Sequence, residues 1–258
     1  MKIATFNVNS VRARLPVVLD WLRYHDPDVL ALQETKVPDD GFPVKEFEEL
    51  GYQVAMHGQK SYNGVAIISK EKAKDVQFGL GDEQLDEECR VIRATFDGVT
   101  VINTYVPNGN EVNSEKWGFK MRWLDCFAEF SKDFAKSSER AIWLGDINVA
   151  PTPGDVYDSE RMAGGVAHHP DEFKRLKKIV KTGWSDCFLE FCTAPGQYTF
   201  WDFRVPNSVG LNAGWRLDHI YCTESMREKC QRCWVDKTPR EEEKPSDHTP
   251  VVAEFDTM

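Results

Sequence analysis

Ala141-Ile142-Trp143-Leu144-Gly145-Asp146-Ile147-Asn148 is an apolar run that ends in a glycine and a carboxylate. The apolar part reads as a strand over Ala141–Leu144. Asp146 and Asn148, two residues apart, fall on the same side of an extended segment, and Gly145 lets the backbone turn or approach a ligand without a Cβ clash. Similar runs recur along the chain: Ile3–Phe6, Val29–Gln33, Val54–His57, Val65–Ser69, Val91–Phe96, Val99–Tyr105, Leu217–Cys222 and Val251–Phe255. Helical patterns lie between some of them, around Leu15–Tyr24, over Glu115–Ala135, and over Phe173–Val180, where Phe173, Leu176, Ile179 and Val180 share one face. His169-Pro170-Asp171-Glu172 opens the last helix, with proline at the first helical position and acids in the first turn. Strands that outnumber interspersed helices predict two packed sheets flanked by helices. No linker or fixed-period repeat divides the chain, so residues 1–258 read as a single domain.

The composition agrees. A chain of 258 residues with 41% hydrophobic and 29% charged residues can build a sizeable core, which excludes a disordered or collagen-like protein. Lys and Arg total 32 against 42 Asp and Glu, and the resulting charge of −10 argues against a general nucleic-acid binder working through a basic surface. No secretory pattern opens the chain and no window approaches the ~18 apolar residues of a membrane span; a cytoplasmic protein without a membrane partner is expected. The seven cysteines are scattered, and Cys230-x-x-Cys233 has no second pair at zinc-site spacing, so reduced thiols are expected. The charge run Arg240–Lys244 reads as a solvated loop.

The ends of the strands carry the chemistry. Val29-Leu30-Ala31-Leu32-Gln33-Glu34 stops in a carboxylate, which alone would pass for the start of a loop. Gly145-Asp146-Ile147-Asn148 repeats the pattern, Phe6-Asn7-Val8-Asn9 places two amides likewise, Asp218 begins another apolar run, and Asp247-His248 precede the last strand. Glu34, Asp146, Asp218 and Asp247 at one rim would repel one another unless a cation sat among them, and oxygen ligands suit a hard ion such as Mg²⁺ or Mn²⁺. One histidine without a suitably placed cysteine is a poor zinc set. The amides Asn7, Asn9 and Asn148 can donate to an anion without adding charge, and an Asp–His pair holds an imidazole in one tautomer. This combination matches phosphodiester hydrolysis better than acyl or glycosyl transfer, and no G-x-S-x-G elbow is present.

Six segments occur together and in order: Phe6-Asn7-Val8-Asn9, Leu32-Gln33-Glu34-Thr35-Lys36, Asn103-Thr104-Tyr105-Val106-Pro107-Asn108-Gly109, Gly145-Asp146-Ile147-Asn148-Val149-Ala150-Pro151, Gly214-Trp215-Arg216-Leu217-Asp218 and Ser246-Asp247-His248. In this the chain resembles exonuclease III and related apurinic/apyrimidinic (AP) endonucleases over essentially its whole length. Met56-His57-Gly58-Gln59-Lys60 and Lys244-Pro245 look like the bacterial exonuclease III branch. The resemblance implies an α/β (α+β) four-layer sandwich, two facing, mainly antiparallel sheets flanked by helices, with the site where strand ends from both halves meet. It implies Mg²⁺-dependent hydrolysis of duplex DNA at AP sites and at blocked or recessed 3′ ends, by a monomer, as base excision repair requires. By the family pattern Glu34 is the main metal ligand, with Asn7 and Asp247 nearby. Asp146 orients or deprotonates the attacking water, and Asn148 holds it or the developing charge. His248, paired with Asp218, binds the scissile phosphate, which Tyr105 and Asn108 also contact. Asn9, Lys36 and Arg216 are expected on the substrate side, and Phe200, Trp201 and Trp215 as apolar walls for an extrahelical deoxyribose.

His168-His169 depart from the pattern, standing where relatives often carry an apolar or small residue. Two readings stay open: a helix-entry loop with solvated imidazoles, or a ring that restricts a flipped AP nucleotide and favours 3′-end processing. The chain lacks a long basic N-terminal extension, which fits a prokaryotic enzyme. A phosphatase for inositol phosphates or phospholipid headgroups, and a non-catalytic DNA-binding module, are the competing functions. Gly214-Trp215-Arg216-Leu217-Asp218 and Tyr198-Thr199-Phe200-Trp201 weigh against the first, and Glu34, Asp146 and His248, all retained, weigh against the second. Arg12, Arg14, Lys36, Lys60, Arg204 and Arg216 lie near the motifs and are expected to line a local basic track, so the acidity of the whole chain says little about its partner.

Overall fold

The computed structural model describes residues 1–136 and 139–256. Its strands are β1 (Lys2–Asn7), β2 (Val29–Gln33), β3 (Gln53–His57), β4 (Val65–Ser69), β5 (Lys74–Phe78), β6 (Val91–Phe96), β7 (Val99–Tyr105), β8 (Ala141–Asp146), β9 (Ser185–Asp186), β10 (Asp218–Cys222), β11 (Cys230–Val235) and β12 (Val251–Phe255). Its helices are α1 (Leu15–His25), α2 (Val44–Glu48), α3 (Glu115–Phe130), α4 (Ser159–Met162), α5 (Pro170–Val180), α6 (Cys187–Phe191) and α7 (Glu224–Arg227). The strands form two six-stranded sheets, ordered β11-β12-β1-β2-β4-β3 and β5-β6-β7-β8-β10-β9.

Side-chain alternation along the strands makes the layers. Ile3, Val29, Ala31, Val65 and Ile67 of the first sheet meet Ala94, Val101, Ile142, Leu144 and Ile220 of the second in one buried cluster. Their neighbours face outward: Ala4, Phe6, Leu30, Leu32 and Ile68 pack on Val18, Trp21 and Leu22 of α1 and Phe47 of α2. On the other side Ile102, Trp143 and Tyr221 pack on Trp117, Leu124 and Phe127 of α3 and Leu176 and Ile179 of α5. Each fully buried Val, Leu, Ile or Phe among them contributes about 1.5–3 kcal/mol over leaving it exposed. The result is helix, sheet, sheet, helix, the expected four-layer sandwich.

Within this mainly antiparallel frame each sheet holds one parallel pair, β1 with β2 and β7 with β8. Parallel neighbours need a long crossover, supplied by α1 and α3. The C-terminal ends of a parallel pair therefore point the same way. Asn7 and Glu34 end the first pair, Tyr105 and Asp146 the second, and Asp218 is brought beside Asp146 by the antiparallel register of β10 on β8.

Gly145, one residue before that end, has φ +139°, and a Cβ there would stand 1.9 Å from the Thr104 carbonyl oxygen. Gly145→Ala is expected to destabilise the fold by about 1–3 kcal/mol, read as a lower denaturant midpoint at unchanged slope; an unchanged midpoint would show that the strand end tolerates the methyl group.

Three strands lie outside the sequence expectation. β5 is exposed along its length and so lacks the alternation that marks a strand; β9 has two residues; β11 carries a register shift between Cys230 and Arg232 that breaks its period. All seven cysteines are free thiols, as expected. Arg240 corrects the solvated-loop reading of 240–244: it is buried, its guanidinium donates to the Ser246 carbonyl and lies over the Trp201 and Phe203 rings, while residues 241–244 are exposed.

Candidate active site

The polar strand ends meet at one edge of the sandwich. Asn7, fully buried, donates from Nδ2 to Glu34 Oε1 and to Asp146 Oδ2, each at 2.9 Å, and so ties the two sheets together at their carboxylates. Ligand atoms of Glu34, Asp146 and His248 lie within 4.8 Å of one another. Asn9 donates to Asp247 Oδ1 at 3.0 Å, and the Lys36 ammonium sits 2.8 Å from Glu34 Oε2. Asn9, Ser10, Glu34, Lys36 and Asn148 have positive φ, between 44° and 92°. Non-glycine residues held there cost of order 1–3 kcal/mol each in strained cases and cluster at functional sites. Here the chain turns sharply after β1, β2 and β8 so that the side chains face one point.

His248 is buried and its Nδ1 lies 2.7 Å from Asp218 Oδ2, while Nε2 points toward Asp146 Oδ2 at 3.8 Å. Burial opposes its charge, but Asp218 and Asp146 outweigh this and raise its pKa to about 10, so the ring is an imidazolium at neutral pH. Asp146 moves the other way for a carboxylate: burial foremost, with Asp218 and Glu34 adding and His248 opposing, lifts it to about 7. Burial also acts to raise Glu34, yet Lys36, Asn7 and His248 hold it below the usual carboxylate range. Tyr105, close to Glu34, stays protonated because burial and the Glu34 charge push its pKa well up. A buried carboxylate with Asp218 and Glu34 as charged neighbours is a place that a cation would stabilise. The carboxylates are oxygen donors that fit a hard divalent cation; of the other expected ligands, Asn7 turns its NH2 to Glu34 and Asp146 while its Oδ1 accepts the Asn9 N–H, and Asp247 accepts from Asn9.

On the far side, Asn108 donates to Asn148 Oδ1 at 3.0 Å, and the Asn148 backbone N–H donates to Asp146 Oδ1 at 3.0 Å. Phe200 and Trp215 pair through their backbones, both half-buried, and the Phe200 ring lies 4.9 Å from that of His248. They cover a small apolar cluster of Ala150, Val156, Ala167 and Leu217.

Two expected substrate-side residues lie elsewhere. Arg216, next to Trp215, points to the opposite side and is 1% exposed, clamped between Asp155 at 2.6 Å and Asp186 at 2.7 Å. It cannot join a basic track. Trp201, also 1% exposed, packs among Lys237 and Arg240 rather than on an open wall. The two histidines also divide. His168 is buried, its Nδ1 2.7 Å from the Ala150 carbonyl, against the solvated reading. His169 is half-buried, caps α5 by accepting the Asp171 N–H, and lies edge-on to Trp117.

Sequence reading missed the supports. Gln33 donates to Thr5 and to Asn103, and Asn103 donates to the Leu32 and Ala66 carbonyls, all buried, bridging the sheets under the site. Thr199 Oγ1 accepts the N–H groups of Leu217 and Asp218, and Ser246 Oγ donates to the Asn7 carbonyl. A glutamine or asparagine inside an otherwise apolar strand was the available signal.

Comparison with known proteins places the whole chain among relatives of the same fold. The family described as Endonuclease/Exonuclease/phosphatase matches residues 4–248. Exodeoxyribonuclease III of Haemophilus influenzae is 32% identical over 269 aligned positions, covering 99% of this chain and 100% of its own. An AP endonuclease from Archaeoglobus fulgidus superposes with a TM-score of 0.94 at 42% identity, covering 100% of both chains. The 3′ phosphatase NExo from Neisseria, bound to a product DNA hairpin, gives 0.96 at 38% identity over 99% of both. A match that runs from β1 to His248 takes in every strand end that builds the site, and the chain belongs to the Endonuclease/Exonuclease/phosphatase family.

Proposed function

We propose that the protein is a Mg²⁺-dependent DNA-repair nuclease that hydrolyses phosphoesters at AP sites and at blocked or recessed 3′ ends of duplex DNA, with Mn²⁺ as an alternative metal. The observation that carries the reading is the convergence of Glu34, Asp146 and a cationic His248 within 4.8 Å, beside two asparagines and a half-buried aromatic wall. Glu34, with Asn7 and Asp247 beside it, would hold the cation, whose charge polarises the phosphoryl group and neutralises what develops on it.

The side chains divide the remaining work. Asp146 takes the proton of the attacking water, and its two hydrogen bonds, from Asn7 and from the Asn148 backbone N–H, fix the carboxylate plane. His248, oriented by Asp218, donates from Nε2 to a non-bridging phosphoryl oxygen. Tyr105 keeps its proton and can give a hydrogen bond to the departing oxygen. Asn108 and Asn148 hold the phosphate and the attacking water, while Asn9 and Lys36 line the substrate side next to Glu34. Phe200 and Trp215 give a baseless sugar an apolar surface. Among the described residues no helix is long and apolar enough to cross a membrane, and action as a cytoplasmic monomer fits the reading. The acidity of the chain is compatible with a DNA substrate because charges more than ~8–10 Å from the phosphates are largely screened.

Hydrolysis of an AP-site duplex and of an inositol polyphosphate, each with Mg²⁺ and with EDTA, tests the reading. Metal-dependent cleavage of the DNA alone is expected. Turnover of the inositol phosphate alone would replace it, and binding without cleavage of either would leave only a DNA-binding module.

His169 bears on substrate preference. Serine retains a capping oxygen for α5, so His169→Ser removes the ring and spares the helix. A rise in AP-site cleavage relative to 3′-phosphate release is expected; an unchanged ratio would leave His169 as a helix cap only.

A further inference from the structure

Lys120 lies on α3 with its side chain fully buried. An ammonium has three N–H donors, and all three are used: Nζ donates to the Asn108 carbonyl at 3.1 Å, to the Asn148 carbonyl at 2.7 Å and to the Glu172 carboxylate. Glu172 is equally buried near the start of α5, where Oε1 accepts the Ala167 N–H and Oε2 the His169 N–H, each at 3.0 Å. Gly109, with φ +92°, makes room for the stem, since a Cβ there would stand 3.0 Å from Lys120 Cδ. The pair thus touches three segments that share no strand: the loop after β7, the loop after β8 and the entry to α5.

Stability does not explain such a pair. Taking two charges out of water costs several kcal/mol per ion, and apolar replacements of similar volume are often neutral or stabilising. What an apolar pair lacks is the ability to hold two backbone carbonyls. Those carbonyls belong to Asn108 and Asn148, whose side chains interlock at 3.0 Å and whose second member fixes Asp146 Oδ1.

We propose that Lys120, braced by Glu172, is a positioning residue for hydrolysis: it sets Asn108 and Asn148 against Asp146 and locks them to the His168–His169 segment, so that the phosphate side and the sugar side of the site move as one body. This rests on the nuclease reading above. The side chain touches no substrate, and its contribution is the placement of groups that do. A misplacement of about 1 Å at a reacting centre can cost about 10²-fold in rate.

The test compares wild type with Lys120→Met/Glu172→Leu and Lys120→Gln/Glu172→Gln on AP-site and 3′-phosphate duplexes, with thermal unfolding measured alongside. The Met/Leu protein is expected to fold and to keep its KM within about 3-fold while kcat falls about 10²-fold on both substrates. The Gln/Gln protein, uncharged but able to donate to a carbonyl, recovers part of that loss at unchanged KM. A folded Met/Leu protein with wild-type kcat overturns the proposal, as does a loss seen in KM alone. If Met/Leu does not fold, Gln/Gln decides: reduced kcat at unchanged KM supports the proposal, and wild-type kcat overturns it. Wild type inactive on both duplexes overturns the functional reading, and the inference with it; active wild type with unaltered variants overturns the inference alone.

Discussion

Asp146→Asn is expected to lower the single-turnover rate of DNA hydrolysis by about 10²–10⁴-fold, the usual worth of a positioned general base, while the affinity for duplex changes little. Asparagine keeps the shape of the side chain. One oxygen can still accept the Asn148 N–H, and loss of a negative charge does not weaken attraction to an anionic substrate. The effect should therefore fall on the chemical step and leave uniform binding alone. The measurement is cleavage under excess enzyme, paired with equilibrium binding to the same duplex in the same buffer. A variant that cleaves at the wild-type rate would remove Asp146 from the chemistry; one that loses binding and rate in proportion would make it a binding residue.

His248→Asn is expected to cost about 10²–10³-fold in kcat, comparable to deleting one preorganised donor to a transition-state oxyanion. The same variant has a signature in stability. The folded pKa of His248, about 10, lies above its ordinary value of 6.5 because Asp218 and Asp146 favour the imidazolium against the cost of burial. Its contribution to stability is thus fully present below pH 6.5 and lost as pH rises through about 10. Denaturant midpoints measured from pH 6 to pH 10 should fall more steeply for wild type than for His248→Asn. Parallel curves would show that the ring is neutral in the folded protein.

These predictions rest on features legible in the sequence to different degrees. The site was legible because each contributing strand is apolar until it stops: Val29–Gln33 into Glu34, and Ala141–Leu144 into Gly145-Asp146. An abrupt change of polarity at the end of a buried strand survives in one dimension. The sandwich was legible for the same reason, since strands buried on both faces need a layer on each side. Residues set by direction were less legible. Trp215 and Arg216 are adjacent in sequence, yet one faces the site and the other an interior clamp of Asp155 and Asp186. Nothing in the short Gly214–Asp218 segment told which face was which. Phe200 and Trp201 divide in the same way. The exposed strand β5 offered no contrast of faces at all. Lys120 did leave a trace: it falls on the stripe Trp117, Met121, Leu124, Ala128 along α3, where an apolar residue is expected and a cation is out of place. Its partner Glu172 reads as a first-turn acid of α5, which it is, but the capping role hides the ion pair.

The account makes one centre responsible for every activity, and the most direct test is a Mg²⁺ titration of cleavage on three duplexes, carrying an AP site, a 3′-phosphate and a recessed 3′ end, with wild type and Asp146→Asn side by side. The three wild-type rates should rise over the same range of metal concentration, disappear in EDTA and fall together in the variant. An activity that persists in EDTA, or that survives in Asp146→Asn while the others are lost, would contradict a single metal-dependent site built on Glu34, Asp146 and His248.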